Sequence, residues 1–163
     1  QSLAALSERL PVIFPLHPRT EKNLGQCGLL PAAQQYPNLK LCKPVGYFES
    51  IGLADSSSFV LTDSGGLQEE TTYMKVPCLT LRPNTERPIT ITEGTNRLTS
   101  LETLQADIDR ILDGGRPSGK IPELWDGSTS QRILAEFIRY QLPVPSSPLA
   151  GEGQGEGEGK PTH

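Results

Sequence analysis

The chain has 163 residues with a net charge of −4, 35% hydrophobic and 21% charged residues, diluted by 16 Gly and 15 Pro. That balance suits one soluble domain with room for a core, and its acidic sign excludes a basic nucleic-acid face or a polybasic membrane anchor. No apolar run is long enough to span a bilayer, and no signal peptide opens the chain. Cys27, Cys42 and Cys78 are odd in number and widely spaced, and the histidines are His17 and His163. Reduced thiols in a cytoplasmic protein are expected, with no metal cluster and no cofactor. The opening Gln1-Ser2-Leu3-Ala4 already reads as helix, so a longer parent chain is expected.

Ser2 can cap a helix with Leu3, Leu6 and Leu10 on one face, ended by Pro11. Val12-Ile13-Phe14 is a short apolar run of the buried-strand kind, leading into a loop over Pro15–Thr20 and a helix-compatible stretch from Glu21. Asn38–Cys42 predicts a second strand, Tyr47–Ala54 a helix and Phe59–Thr62 a third strand. Asp63–Gly66 reads as a turn and Leu67–Met74 as a short helix broken by Val76-Pro77, before a fourth strand over Cys78–Leu81. Thr99–Glu102 fits a capping box, followed by Leu101, Leu104, Ile108 and Ile111 at helical spacing and by Asp113-Gly114-Gly115 as terminator. A last helix from about Ser128 is expected to bury Ile133, Leu134, Phe137 and Ile138.

Short apolar strands alternating with helices predict an α/β fold: a Rossmann-like parallel sheet with flanking helices. Residues 1–142 are expected to form the folded domain. Residues 143–163 are Pro/Ser-rich and then alternate Gly with Glu or Gln, and are expected to be disordered and dispensable.

The densest chemical signal is Leu61–Glu70, a strand, a glycine turn and a helix start. Free N–H groups and the dipole at such a start attract anions, Gly65 and Gly66 admit a phosphate close to the backbone, and the Ser64 hydroxyl adds a donor. Glu69 and Glu70, one turn in, can accept from ribose hydroxyls. The plain alternative is a structural turn. Asp63-Ser64-Gly65-Gly66 also matches the nucleophile segment of chymotrypsin-like proteases, but the α/β pattern and scattered cysteines argue against that reading. Arg87 follows the fourth strand, where ligands of open α/β sheets bind; it can fork onto a diphosphate or pair with a glutamate to fix its loop. His17, with Arg19 beside it, lies just past the first strand, as a ligand contact or as an ordinary solvated loop histidine.

Together, His17–Thr20, Pro44–Tyr47, Leu61–Glu70, Leu81–Pro88 and Gly94–Leu98 resemble the corresponding segments of the non-hydrolysing UDP-N-acetylglucosamine 2-epimerases, in order and spacing, from about Leu3 to Tyr140. The resemblance implies the second domain of a GT-B architecture, two Rossmann-like domains facing a cleft. It implies interconversion of UDP-N-acetylglucosamine and UDP-N-acetylmannosamine by elimination and re-addition of UDP. By the same resemblance Ser64, Gly65 and Gly66 hold the phosphates, Glu70 the ribose, and Arg87 the nucleotide sugar. His17 lies near the ligand as the possible catalytic group, and Arg19 is a further substrate-binding candidate. The partners implied are a UDP-sugar, a preceding N-terminal domain carrying the acid/base carboxylates, and a second copy of the parent in a homodimer.

The family's Gly-His-Arg-Arg-Glu segment and the first strand of the second domain do not occur within the chain. Ile89 stands where many members have an acidic residue, Ser50 where many have a Phe near the uracil, and Trp125-Asp126-Gly127 where an aromatic–Gly–Asp–Gly is usual. This chain alone is expected to be inactive. The alternatives are a GT-B glycosyltransferase domain and a non-catalytic nucleotide-sugar binding module, separable by the coding sequence upstream of Gln1.

Overall fold

A computed structural model describes residues 2–114 and 119–140. The chain divides into two compact units, Gln1–Pro122 and Glu123–His163. The expected tail over 143–163 lies outside the described residues. No helix among them is long and apolar enough to cross a membrane.

The first unit is α/β with parallel strands, as the alternation of apolar runs predicts. Strands β1 (Val12–Pro15) and β2 (Leu39–Cys42) pair with each other; β3 (Val60–Thr62), β4 (Cys78–Leu81) and β5 (Asn96–Thr99) form a second sheet in that order. Every pairing is parallel, and β4, flanked on both sides, is buried along Cys78, Leu79 and Thr80. Helix α1 (Ser2–Ser7) and helix α7 (Leu104–Leu112) contribute Leu6, Leu104, Ile108 and Ile111 to a core around Leu79. Val12 of β1 and Leu61 of β3 pack on that same core, so both sheets share it.

Several boundaries differ from the expectation, each for a local reason. The segment Pro18–Thr20 is not loop: helix α2 (Pro18–Gln26) starts there, with His17 as its N-cap and Pro18 in the first turn, where a missing N–H costs nothing. A further short helix, α3 (Leu29–Gln34), follows, and helix α4 (Tyr47–Asp55) forms where expected. Helix α5 (Gly65–Met74) takes in both glycines as its first turn, and it ends on Lys75 in the left-handed region at φ 59°. The short helix α6 (Ile89–Thr92) and strand β5 occupy a stretch for which the sequence predicts no element.

The capping box expected at Thr99–Glu102 is also corrected. Thr99 ends β5, Thr103 is the N-cap of α7, and Leu101 is 69% exposed rather than on the buried face. Leu104, Ile108 and Ile111 are buried as their spacing predicts. Asp107, on the same helix, is only 3% exposed and is neutralised by Arg97 Nε at 2.7 Å, with Arg110 at 3.4 Å and the Thr99 hydroxyl at 2.9 Å. Arg97 therefore ties β5 to α7. A buried carboxylate is tolerable only with such partners.

In the second unit, helix α8 (Thr129–Arg139) begins at Ser128 as expected. Its apolar residues are not buried: Ile133, Leu134 and Ile138 are exposed and Phe137 is half-buried, because this small unit has too few residues to build a core of its own. Arg132 holds its entry by bonding Asp126 at 2.9 Å and the Leu124 carbonyl at 2.7 Å.

Candidate functional site: the first turn of α5 and the loop after β4

Ser64 has extended backbone (φ −81°, ψ 135°) and stands at the N-cap of α5, but its hydroxyl bonds no helix N–H. The first-turn donors, which have no partner inside a helix, are therefore not consumed by the cap. The Ser64 N–H donates to the Thr62 hydroxyl at 3.0 Å, which sets the turn out of β3. Neither Gly65 nor Gly66 needs a left-handed backbone. A Cβ at Gly66 would meet no protein atom within 4 Å, and one at Gly65 would meet only Glu86 Oε2 at 3.8 Å. Glycine in a helix costs about 1 kcal/mol against alanine. Here neither backbone conformation nor neighbouring protein atoms require two in succession. Room for a group approaching the backbone is the physical property they add.

The loop Arg82–Pro88 lies against this turn. Arg87 Nε pairs with Glu69 Oε2 at 3.1 Å, and its Nη1 reaches the Glu86 carbonyl at 3.4 Å. Arg82 holds Glu86 at 3.0 Å, and that guanidinium keeps the Glu86 carboxyl below the usual carboxylate range. The glutamate pairing weighed for Arg87 is thus present, with Glu69 as partner. It leaves Arg87 Nη2 without a hydrogen-bond partner among the described residues. Of the residues singled out in the sequence, the structure brings together Ser64, Gly65, Gly66, Glu69 and Arg87. Glu70 is half-buried one residue on, with no hydrogen bond or ion pair among the described residues.

His17 is exposed past the end of β1. Its Nδ1 accepts the Arg19 N–H at 3.2 Å, so in the neutral ring Nε2 carries the proton. Among the described residues no hydrogen bond or ion pair joins His17 or Arg19 to the Ser64 turn or to Arg87. No group of three or more His, Cys, Asp or Glu side chains among the described residues is placed to hold a metal. A cleft of about 490 Å³ opens at the C-terminal ends of β4 and β5 and includes Leu81, Arg82, Leu98 and Leu101. Its lining is mostly apolar, and it shares Arg82 with the loop.

Sequence reasoning passed over the residue that joins these parts. Gln68 is completely buried, and its amide bonds Ser64, Thr85 and Asn96. A glutamine in a polar helical stretch carries no sequence signal of burial.

Parallel strands flanked by helices, with a glycine-opened helix start and an arginine loop at the strand ends, define a Rossmann-like domain. The chain belongs to the UDP-N-acetylglucosamine 2-epimerase family, whose profile matches residues 1–138. A UDP-N-acetylglucosamine 2-epimerase of Methanocaldococcus jannaschii is 47% identical over 125 residues, covering 76% of this chain and 34% of the relative. One from Methanococcus maripaludis is 42% identical over 107 residues, covering 64% of this chain and 29% of the relative. The chain thus spans about a third of the length of the curated relatives it matches.

The crystal structure of the M. jannaschii enzyme in complex with UDP-GlcNAc and UDP superposes with a TM-score of 0.65 at 36% identity, over 78% of this chain and 35% of that one. The Neisseria meningitidis enzyme bound to UDP-GlcNAc gives 0.64 at 28% identity, over 85% of this chain and 40% of that one. These neighbours have the GT-B fold.

Proposed function

We propose that this chain supplies the UDP-binding part of an enzyme that interconverts UDP-N-acetylglucosamine and UDP-N-acetylmannosamine by eliminating and re-adding UDP. The observation that carries the reading is the apposition of the α5 first turn to the Arg87 loop, across which Glu69 and Arg87 pair. The N–H groups of Gly65 and Gly66 and the Ser64 hydroxyl stand on one side and the guanidinium of Arg87 on the other, the donors that a diphosphate leaving group requires. Glu70 takes the ribose, and His17 and Arg19 approach the ligand from the end of β1. Solved relatives with UDP or UDP-GlcNAc bound support the ligand class.

Elimination also needs a group to move the C2 proton. Glu69 and Glu86 are engaged by arginines. The proton-transfer carboxylates come from a further domain, and this chain alone binds nucleotide without turnover. The parent acts as a homodimer in the cytoplasm.

UDP titration by calorimetry tests the first part, with Gly65→Val as the comparison. Equal affinity in both chains removes the phosphate cradle. Solvent deuterium incorporation at C2 of the sugar tests the second. Exchange by the chain alone would place the base among these residues; exchange only on mixing with a separately expressed first domain supports a shared site.

A further inference from the structure

Gln68 sits in the first turns of α5 with no exposed surface. Its Nε2 donates to the Ser64 carbonyl at 3.1 Å, on the phosphate turn. Its Oε1 accepts two donors, the Thr85 hydroxyl at 2.6 Å and Asn96 Nδ2 at 3.1 Å. The Thr85 hydroxyl in turn accepts the Arg87 N–H at 2.9 Å. A continuous path of hydrogen bonds therefore runs from the Ser64 carbonyl through Gln68 and Thr85 to the backbone of Arg87. From the other side, Asn96 Nδ2 also donates to the Thr90 hydroxyl at 3.1 Å, and that hydroxyl donates to the Arg87 carbonyl at 2.7 Å. The backbone of Arg87 is thus held at its N–H and at its carbonyl, and both holds lead to one buried amide.

We infer that Gln68 is a positioning residue: it sets the spacing between the Ser64–Gly66 donors and Arg87, so that turn and loop engage one diphosphate together. This rests on the UDP-binding reading above. The Glu69–Arg87 pair alone does not give that spacing, because both side chains are more than 40% exposed and a surface ion pair fixes geometry weakly. A buried amide with every bond directed does so, since breaking any one bond leaves a buried polar group without a partner. Groups that act on one ligand must be held within a fraction of an ångström by neighbours whose own conformations are locked.

The test is UDP affinity by calorimetry in the full chain, with thermal midpoints measured alongside. Thr85→Val removes the middle of the path at a half-buried site and keeps the side-chain shape; Gln68→Leu removes its centre. Each is expected to weaken UDP by about tenfold, or about 1.4 kcal/mol. The double variant should weaken it no further, since both changes cut one path. In an Arg87→Ala background the Thr85→Val effect should fall below about twofold, because the group being positioned is gone. Gln68→Glu adds a signature that packing alone would not give. The ionised carboxylate cannot donate to Ser64, whereas the neutral acid can, so the affinity of this variant relative to the unaltered chain should rise as pH falls.

Folded Thr85→Val and Gln68→Glu chains that bind UDP like the unaltered chain would overturn the inference and leave the UDP reading intact. An unaltered chain that does not bind UDP would overturn both.

Discussion

Arg87 Nε lies 3.1 Å from Glu69 Oε2, so the loop after β4 is joined by charge to the second turn of a helix whose first turn carries the two glycines. The pair engages Nε and leaves Nη2 without a hydrogen-bond partner among the described residues, so one guanidinium can serve two groups, which a lysine ammonium does not reproduce in the same geometry. Arg87→Lys should therefore weaken UDP binding by roughly tenfold despite keeping its charge. Glu69→Gln, which keeps an acceptor, should cost less. Calorimetric titration of both variants checks this; an Arg87→Lys chain with unaltered affinity would reduce Arg87 to a loop anchor.

Gly94 packs where no side chain fits. A Cβ there would lie 2.5 Å from the Thr90 carbonyl oxygen and closer still to the Thr72 hydroxyl. The Thr72 side chain of α5 thus packs directly on the Gly94 backbone, which follows α6. Gly94→Ala should destabilise the fold by about 1–3 kcal/mol through overpacking, read as a drop in the urea midpoint with an unchanged slope. A neutral result would mean that α6 moves away freely.

Acid stability has a defined sign. The Arg9 guanidinium bonded to Asp109 holds that carboxyl below the usual aspartate range, and the Ser128 N–H, with Arg132 second, does the same for Asp126. A carboxyl lowered in the folded state stabilises above its unfolded value and loses that contribution as pH falls through the folded value. Stability should accordingly be flat near neutrality and decline below about pH 4. Because both carboxyls are exposed, the effect is small. Asp109→Asn should flatten part of the decline in a series of denaturant midpoints against pH; an unchanged slope would assign the decline to other groups.

The thiols differ in access. Cys27 is exposed, Cys42 half-buried and Cys78 buried, and burial pushes the Cys78 thiol up. The thiolate is the reactive form. Cys27 should react with a disulfide reagent within the mixing time in native buffer, whereas Cys78 should react only at the rate of unfolding. Fast labelling of Cys78 would mean that β4 opens readily.

Much of this architecture was legible because apolar runs bounded by Pro and Gly report strands, and β1 to β4 lie where such runs occur, as the buried Leu104, Ile108 and Ile111 of α7 follow helical spacing. The burial expected of the first strand is corrected: β4 is buried along most of its length, whereas Ile13 of β1, a strand with a single partner, is exposed. Strand β5 was not, because Asn-Arg-Leu-Thr buries its asparagine against Thr80 and Gln68 and so shows no apolar run. Glycine and proline misled at helix starts. Gly65 and Gly66 look like a turn and Pro18 like a loop, yet each lies in a first turn, where helix hydrogen bonds are not yet required. The glycine turn and Arg87 were visible as separate features; their connection through Gln68 depends on side-chain bonds between residues as far as 28 positions apart, which no local pattern encodes.

The layer between α5, β4 and β5 is filled by Gln68, Thr71, Thr72, Thr80, Thr90, Thr95 and Asn96, all buried. Its shape is therefore specified by bond directions more than by volume, which inverts the usual tolerance of an interior. In an ordinary core a size-matched exchange is nearly silent and a change of volume is felt. In this layer Thr→Val at position 80 keeps the volume but strands the Asn96 oxygen that accepts its proton at 2.6 Å, while Thr72, whose hydroxyl has no partner among the described residues, should accept valine freely. Two chemically identical substitutions eight residues apart would then drift at very different rates among descendants of this sequence.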